Sequence, residues 1–420
     1  MTTSNKDANN LITWINKNGG TISNINIYNE GQERGVVTTK KIRDGTNVVK
    51  IPKKLLIHDG LGQESYYGNQ LLKGNYSQIN NLKISLVVIF MLDDMRRDSF
   101  FLPYYRILPK QISNFPIFWN EKTRSLLKGS PMSRKIQARI NNFVQDYKII
   151  CNCCDGFEEE YSFNDFLFIR ILVGSRNFGI RIDGVKRVAM VPFSDMINHH
   201  QSPNISWFYD NNKKFFIMRA NTAISRGNIV TDTYGNKCNS LMLLYYGFAL
   251  PNNKSNTLYL TLSNKMNRTR AESKKYEMFP QLDAYLKTDL KDYATNNVFT
   301  FFRIWVANDN ELAQYRYRTK YSRPISLNNE IRMLTALNTF MEKQKEKYIL
   351  SYEKAVELAN SISKDTQEYL ALLLIIGELE IIQFYISFTA HMIKHLSNKG
   401  VPTDSKYNSY SVMLKNTLSL

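Results

Sequence analysis

The sequence predicts an α+β protein, with a β-rich core that is interrupted by a helical insertion and followed by an all-α C-terminal domain. Two observations predict this class. Short strand-like segments separated by turn residues occupy residues 19–57 and 187–262, whereas helical periodicity occupies residues 80–182 and continues from about residue 265. The predicted limits are an N-terminal segment (1–19), a β-rich domain (20–262, with its helical insertion at about 62–184) and a helical domain (263–420).

The first strand-like region contains a turn signal. The segments "RGVVTTKKI" and "NVVKIP" are rich in Val, Thr and Ile and flank the turn "RDGT", which contains Asp44 and Gly45. An Asp-Gly pair between two such segments is typical of a β-hairpin. The sequence therefore predicts that these two segments pair with each other.

Helical signals follow, and strand signals then return. The segments "LKISLVVIFMLDDMRRDS" and "FNDFLFIRILVGSRNFG" have the length and apolar spacing of helices, and Asn164 and Asp165 are predicted to cap the second one. No strand is predicted after about Lys265. The predicted strands of the second region are "RVAMVPF", "NISWFYD", "KKFFIMRA", "NIVTDTY" and "NTLYLTLS", with turn-forming residues between them.

The C-terminal third is predicted to consist of long helices. Its most apolar stretch, "YLALLLIIGELEIIQFYISF", has Glu378 and Glu380 at its centre. A membrane-spanning helix rarely carries two carboxylates at that position. The sequence therefore predicts a buried amphipathic helix and no membrane partner.

Composition restricts the compartment and the partners. The formal net charge is +18, which brings anionic partners into consideration, but the lysines are scattered along the chain and indicate a solvated basic surface. Nucleic acid is therefore a partner that the sequence allows but does not favour. The polar start "MTTSNKDANN" and the small number of cysteines, four, predict an intracellular protein, cytoplasmic or nuclear. The cluster "CNCC" lacks the spacing of a zinc site, so no metal is predicted.

Two polar segments at the ends of strand signals are the candidates for chemistry. They are "SDMINHH" and "DTYGNKCNSLMLLYYGF", whereas the glycine patterns of nucleotide-binding loops and the nucleophile elbow do not occur in the chain. Asn198 and His199 offer adjacent hydrogen-bonding side chains. Tyr234 ends an apolar strand and precedes Gly235, which lets the backbone turn close to a bulky group.

These segments resemble the two signature segments of SET-domain methyltransferases, in the group of the Rubisco large-subunit lysine methyltransferase and the actin-histidine methyltransferase. "QERGVVTTKKIRDGTNVVKIPKKLLI" resembles the N-terminal SET segment of this group, and "RPISLNNEIRMLTALNTFMEKQKEKYILSYEKA" resembles its helical substrate-binding domain. The resemblance runs from about Gly20 to His395. It implies a β-rich SET core and a helical C-terminal lobe. In this family the Asp-x-x-Asn-His segment passes beneath a neighbouring loop in a knot-like crossing.

The resemblance also implies the cofactor S-adenosylmethionine and its contacts. Tyr234 matches the catalytic tyrosine of the family. Arg176 stands where the family has an arginine near the carboxylate of the cofactor, a pairing that suits a guanidinium fork. The implied cofactor-binding residues are Gln32, Glu33, Arg34, Arg176, Asp195, Met196, Ile197, Asn198, His199, Tyr234 and Tyr246.

The resemblance further bears on the target side chain. The histidine-directed branch has an asparagine two positions after the arginine and a tryptophan before the aspartate, where this chain has Phe178 and Ser194. An aromatic wall and a small residue at these positions indicate the lysine-directed branch. Phe178, Ser194 and Tyr246 are therefore the implied substrate-binding residues.

Three functions follow as hypotheses. The leading one is an S-adenosylmethionine-dependent protein-lysine N-methyltransferase, with a histidine-directed enzyme of the same fold as its alternative. The second is a SET-fold binding module without turnover, and the third is nucleic-acid binding driven by net charge. The enzyme is expected to act as a monomer on a protein substrate, histone or non-histone, held by the SET cleft and the C-terminal helical lobe.

Overall fold

The strands lie mainly in residues 21–263, on both sides of a run of helices, and helices dominate the rest of the described chain. The structure is a computed structural model that describes residues 5–30, 33–263, 270–278, 281–290, 292–316 and 324–399. The strands are β1 (Thr21–Ile22), β2 (Ile25–Glu30), β3 (Glu33–Thr38), β4 (Asn47–Pro52), β5 (Ile57–His58), β6 (Asn177–Ile182), β7 (Val185–Met190), β8 (Asn198–His199), β9 (Ile205–Asp210), β10 (Phe215–Ala220), β11 (Ile229–Asp232), β12 (Leu258–Ser263) and β13 (Gln281–Leu286).

The helices fill the predicted insertion and the C-terminal third, so the predicted α+β class is confirmed. They are α1 (Asn5–Lys17), α2 (Asp59–Glu64), α3 (Tyr66–Lys73), α4 (Leu82–Asp94), α5 (Leu102–Ile107), α6 (Glu121–Ser125), α7 (Met132–Cys153), α8 (Phe157–Glu160), α9 (Phe163–Arg176), α10 (Asn239–Tyr246), α11 (Arg270–Met278), α12 (Tyr293–Val306), α13 (Asp309–Arg316), α14 (Leu327–Lys345), α15 (Tyr352–Ser361) and α16 (Gln367–Lys399).

The chain divides into two compact units, each of which gathers separate stretches of sequence. The first unit comprises Met1–Phe118, Ile136–Lys237 and Leu244–Gly247, and the second comprises Trp119–Lys135, Cys238–Leu243 and Phe248–Leu420. The domain limits predicted above stay a prediction.

Three small sheets build the first unit. One has the order β1-β4-β10-β9, a second has the order β2-β3-β11-β8, and a third has the order β5-β7-β6. All neighbours are antiparallel except β11 and β8, which are parallel. A continuous core of buried aliphatic and aromatic side chains connects the sheets with α4 and α9. The parallel pair lies at one edge of the second sheet and positions the candidate site.

The predicted hairpin around Asp44 and Gly45 is wrong, although the turn itself forms. Gly45 has a φ of +73°, and the Thr46 N–H donates to the Arg43 carbonyl at 3.2 Å. However, β3 pairs with β2 and β11, whereas β4 pairs with β1 and β10. The reason is a long-range hydrogen bond from the Ile42 N–H to the Ile224 carbonyl. This bond lies between β3 and β4 in the chain and directs the backbone from one sheet to the other.

The predicted cap of α9 is also corrected. The N-cap is Ser162, whose hydroxyl accepts the Asp165 N–H at 3.2 Å, while the Asp165 carboxylate accepts the Ser162 N–H at 3.1 Å. This reciprocal pair is a capping box, so Asp165 supports the cap from inside the helix and Asn164 is a helical residue.

A strand that the sequence did not predict occurs in the second unit. β13 pairs antiparallel with β12 along six residue pairs. Its segment "QLDAYL" alternates, with Ala284 and Leu286 buried and Asp283 and Tyr285 exposed. This period of two is typical of a half-buried strand, and the helical periodicity that surrounds it in the sequence conceals it.

Helix α16 is the core helix of the second unit. Within the described residues it is the one helix that has the length and composition to cross a membrane, and 67% of its most apolar stretch is buried inside the protein. Glu378 is 3% exposed at its centre and accepts the Tyr348 hydroxyl at 2.9 Å. A buried carboxylate with a partner in the same unit agrees with the predicted core helix.

Candidate active site

The parallel pair β8–β11 brings the two polar segments together. Asn198 pairs with Thr231 and His199 pairs with Asp232. Tyr234 follows two residues after β11, and its backbone N–H donates to His199 Nδ1 at 3.0 Å. Residues 35 positions apart in the sequence therefore form one site because two short strands share an edge.

Tyr234 lies between two other rings. Its ring centroid is 5.2 Å from that of His199 and 5.0 Å from that of Tyr246. Its hydroxyl donates to the Ile197 carbonyl at 3.0 Å. Burial raises the pKa of Tyr234 to about 12, so the hydroxyl is protonated and acts as a donor at neutral pH.

The turn that precedes β8 has a strained backbone. Phe193 has a φ of +71° and is fully buried, which is rare for a bulky side chain. The residue begins a short 3-10 turn, Ser194–Met196, in which each side chain is buried. Such strain persists where the surroundings fix the backbone, and here it turns Asp195 into the interior.

Asp195 is held by an arginine and a tyrosine. The Arg176 Nη1 donates to the Asp195 carbonyl at 2.8 Å and lies 3.3 Å from its carboxylate, and the Tyr104 hydroxyl donates to the carboxylate at 2.9 Å. Burial raises the pKa of Asp195, and the Arg176 charge opposes this shift. Because Arg176 comes at the end of α9, this network fixes the end of the helix against the turn before β8.

Arg34 and Asn198 meet at the start of β3. The Asn198 side-chain amide donates to the Arg34 carbonyl at 2.8 Å, and the Arg34 Nη1 donates to the Ile107 carbonyl at 2.7 Å. Burial, together with the like charge of Arg176, lowers the pKa of Arg34 to about 10. A Cβ on Gly35 would lie 2.8 Å from the Tyr28 ring and 3.0 Å from the Asn198 amide, so only glycine lets these two side chains approach the backbone this closely.

His199 is neutral near pH 7. Burial lowers its pKa, and the nearby His200 and Lys237 lower it further. Nδ1 accepts the Tyr234 N–H, so the ring proton is on Nε2. The protonation state of His199 and the position of the Tyr234 backbone are therefore linked.

The predicted site residues fall into several groups. Arg34, Arg176, Asp195, Asn198, His199, Tyr234 and Tyr246 are joined by the contacts described above, and Met196 and Ile197 are buried beside them. Gln32 lies outside the described residues. Glu33 begins β3, where its backbone pairs with Glu30.

Two predicted substrate-binding residues have different surroundings. The Phe178 ring contacts Trp207 and Phe216, at centroid distances of 5.4 and 5.0 Å, in a cluster separate from the Tyr234 rings. The Ser194 side chain is 1% exposed, and its hydroxyl makes no hydrogen bond with the described residues. Their substrate roles stay a prediction.

Several residues of the site were missed by sequence reasoning. Tyr104 reaches Asp195 from α5, 91 positions away, and no local pattern indicates this contact. The Lys237 ammonium donates to the Tyr234 carbonyl and lies 5.9 Å from the Tyr246 ring centroid. Asp232, whose pKa burial raises to about 6, is 3% exposed beside His199. Lys237 and Asp232 flank Tyr234 in the sequence and could have been found there.

Clusters of side chains that could hold a metal ion are absent from the described part of the chain. No group of three or more His, Cys, Asp or Glu side chains in it could hold an ion. Cys151, Cys153, Cys154 and Cys238 are all free thiols.

The comparison with protein families decides the identity of the core. Residues 33–235 match the family model described as "SET domain", and this range contains β3, β8 and β11. These residues are therefore similar to a SET domain. Its fold is that of solved SET-domain structures, among them the SET domain of LSMT bound to methyllysine and AdoHcy, with a TM-score of 0.76, 19% identity and coverage of 99% of this chain and 100% of that one.

Other matches agree with this SET domain. The structure of Rubisco LSMT bound to AdoMet aligns with a TM-score of 0.75 at 17% identity, over 98% of this chain and 99% of that one. SET domain-containing protein 4 of Artemia parthenogenetica is 28% identical over 239 residues, 53% of this chain and 57% of that protein. The chloroplastic Rubisco large subunit N-methyltransferase of Pisum sativum is 25% identical over 251 residues, 54% of this chain and 48% of that protein.

The alignments with curated relatives are partial. For the first three, the matched region spans between 34% and 57% of the relative's length. The solved structures establish the SET fold for this chain. The activity of the whole protein is a proposal.

Proposed function

We propose that this protein is an S-adenosylmethionine-dependent protein-lysine N-methyltransferase. The observation that carries the proposal is the position of Tyr234, whose protonated hydroxyl is fixed at the Ile197 carbonyl between the rings of His199 and Tyr246. The proposal is supported by relatives whose names state an N-methyltransferase activity, including the Rubisco large subunit N-methyltransferase of Pisum sativum and the N-lysine methyltransferase setd6 of Danio rerio.

The residues around Arg176 fit an amino-acid group such as that of S-adenosylmethionine. Arg176 uses Nη1 for its contacts with Asp195 and Met196, and its Nε and Nη2 make no hydrogen bond with the described residues. A guanidinium with two free N–H groups can pair with a carboxylate. The absence of a side chain at Gly35 lets the Tyr28 ring and the Asn198 amide lie against the backbone next to Arg34. Arg34, Arg176, Asn198 and His199 would hold the cofactor.

S-adenosylmethionine, when bound, would supply an electrophilic methyl group on a sulfonium. The protein must then provide a lysine amine with a lone pair. With a pKa of about 10.4, only about one lysine in a thousand is neutral at pH 7.4. Tyr234 cannot act as the base at neutral pH, because its pKa is raised to about 12. The site must therefore favour the neutral amine through its surroundings.

Two features of the site favour the neutral amine. Tyr234 and Tyr246 are half-buried rings that remove water from an incoming ammonium, and desolvation lowers the pKa of a lysine. Lys237, with its ammonium near the Tyr246 ring, adds a like charge that lowers it further. The Tyr234 hydroxyl and the Ile197 carbonyl can then orient the amine for attack, which supplies part of the barrier reduction by positioning alone.

The choice of lysine over histidine rests on Phe178 and Ser194. Phe178 presents a half-buried ring and Ser194 is small and buried, so the chain lacks the asparagine and the tryptophan that the resemblance associates with the histidine-directed branch. The histidine-directed alternative requires a polar group next to the ring nitrogen. Lysine is therefore the proposed target.

The test is transfer of labelled methyl groups from S-adenosylmethionine to proteins of a cell lysate, followed by mass spectrometry of the labelled bands. Methyl-lysine in the wild-type sample, lost with Tyr234→Phe and retained with the exposed control Tyr66→Phe, is the expected result. Methyl-histidine would select the histidine-directed alternative. Absence of label, together with absence of a calorimetric signal for S-adenosylmethionine, would overturn the proposal and favour a binding module.

A further inference from the structure

Two arginines of the first unit lie together and form no ion pair with the described residues. Arg139 on α7 and Arg170 on α9 flank the Phe143 ring, at 5.1 and 5.0 Å from its centroid. Arg139 also lies 4.4 Å from the centroid of Tyr245. A Cβ on Gly174 would lie 3.4 Å from Arg170 Nη1 and 3.9 Å from Arg139 Nη2, so the two guanidinium groups converge beside this glycine.

Both guanidinium groups are largely removed from water. Arg170 is 7% exposed, and Arg139 is half-buried. Arg139 Nη1 and Arg170 Nε are buried and make no hydrogen bond with any described residue. Buried N–H donors in native proteins nearly always have a hydrogen-bond acceptor. The described residues supply none for these two nitrogen atoms, so a ligand with an acceptor group would satisfy them.

Asp146 only partly offsets this deficit. Its buried carboxylate favours the charged form of Arg170, but Oδ1 accepts from the Asn80 backbone and side chain, and Oδ2 makes no hydrogen bond with either arginine. Burial and the like charge of Arg170 lower the pKa of Arg139 to about 10. Two like charges at close range, both desolvated, are costly for the free protein and favour an anion between them.

We propose that Arg139 and Arg170 bind a carboxylate of the protein substrate. The inference rests on the proposed function and deepens it, because it names an acidic side chain near the methylated lysine as the feature that is recognised. Tyr245, whose ring covers Arg139, directly precedes Tyr246 of the candidate active site. Tyr245 is 44% exposed and Arg139 beneath it is only half-buried, so the Arg139 end of the pair faces solvent.

The geometry favours a carboxylate over a cation or an apolar group. A guanidinium is a planar fork of N–H donors that matches the two oxygens of a carboxylate. The Phe143 ring lies beside both groups and the Tyr245 ring lies beside Arg139, so the rings restrict the guanidinium groups while N–H donors remain for a ligand. The missing side chain at Gly174 leaves room where these donors meet.

The experiment is methylation of a peptide library by the full-length protein with labelled S-adenosylmethionine. Each peptide has one central lysine, randomised flanks and an amidated C-terminus. Wild type is expected to select Asp or Glu at one flanking position by about tenfold, the scale of a hydrogen-bonded charge. Arg139→Met should lose this selection while still methylating peptides without acidic residues, and Arg139→Glu should select Lys or Arg there.

Arg134→Met is the matched control, because Arg134 is exposed on the same helix α7. It should retain the acidic preference. A parallel library of neutral peptides with free C-termini separates the two sources of a carboxylate, since selection at the chain end would assign the pair to a terminal carboxylate. Methylation without any acidic preference in either library would overturn the inference and leave the proposed function intact.

A stability measurement separates binding from a structural role without relying on activity. If the pair is a binding site, Arg139→Met removes an uncompensated charge and should raise the melting temperature of the free protein by a few degrees. Gly174→Asp places a carboxylate at the point of convergence and should also raise it, while blocking selection of acidic peptides. A lower melting temperature for both variants would show that the arginines serve the fold, and would overturn the inference.

Discussion

The hydroxyl of Tyr234 is the single atom on which the proposed chemistry depends most. Tyr234→Phe removes it and keeps the ring between His199 and Tyr246. We expect turnover to fall roughly 10²–10³-fold, the scale seen when one oriented polar group is removed from a preorganised site. Steady-state kinetics with labelled S-adenosylmethionine measures this loss.

The control for this variant is cofactor affinity. Because the ring and its contacts with His199 and Tyr246 remain in this variant, calorimetry should give a similar dissociation constant for S-adenosylmethionine in both proteins. Turnover within threefold of wild type would remove Tyr234 from the catalytic role.

His199 gives the site a pH dependence. Its pKa is lowered in the folded state, so the unfolded chain binds more protons below its ordinary value of 6.5. The contribution of His199 to stability is therefore present above pH 6.5 and is lost as the pH falls below it.

His199→Asn keeps an acceptor for the Tyr234 N–H but does not titrate. We expect urea denaturation to show a steeper loss of stability in wild type than in His199→Asn between about pH 6.5 and 5, and parallel curves would contradict this.

Sequence reasoning identified polar residues of the site but not the side chains that fix their positions. Asn198, His199 and Tyr234 stood out because polar groups interrupt apolar strands at these positions. Tyr104 and Asp195 are linked across 91 positions, and Tyr104 is one of 25 tyrosines in the chain. A contact of this kind depends on tertiary folding, so no local pattern could distinguish it.

Helix α16 carries a carboxylate whose burial is unfavourable at high pH. Burial raises the pKa of Glu378 to about 7, while the hydroxyls of Ser130 and Tyr348 and the charge of Lys135 oppose the shift. Between pH 4.5 and 7 the folded state holds a proton that the unfolded chain releases, so stability falls as the pH rises through this range. The stabilising contribution is lost above about pH 7.

Glu378→Gln tests this prediction. The amide can still accept the Tyr348 hydroxyl, and it carries no charge at any pH. We expect its free energy of unfolding to exceed that of wild type by roughly 3 kcal/mol above pH 7, given about 1.4 kcal/mol for each pKa unit. The difference should disappear near pH 5. Glu380→Gln, at an exposed position of the same helix, should show no such pH-dependent gain.

Long helices were predictable from the sequence, whereas strand partners were not. The predicted helices in the insertion and in the C-terminal third are confirmed as α4, α9, α14 and α16, because their apolar periodicity extends over several turns. The hairpin around Gly45 failed because β3 and β4 find partners in different sheets. β13 was missed because six alternating residues carry little signal between helical segments.

The arrangement of short strands into a SET core is the property that local signals could not supply. The class followed from the order of strand and helix signals, but the parallel pairing of β8 with β11 joins segments about 30 residues apart through two strands of two and four residues. Only the resemblance of these motifs to a family indicated that the two segments belong to one site. The knot-like crossing and the monomeric state stay predictions.

The charge of the whole chain gives the last prediction. A net charge of +18 attracts nucleic acid, but the lysines are scattered and no like-charged block forms a track for phosphates. We expect only two or three phosphates to be contacted at once. The logarithm of the affinity for an arbitrary labelled duplex should then fall against the logarithm of the salt concentration with a slope no steeper than about −3, because each contact contributes about −0.9. Fluorescence anisotropy from about 50 to 200 mM salt measures this slope. A slope of −6 or steeper would reveal a concentrated basic surface and would make nucleic acid a functional partner.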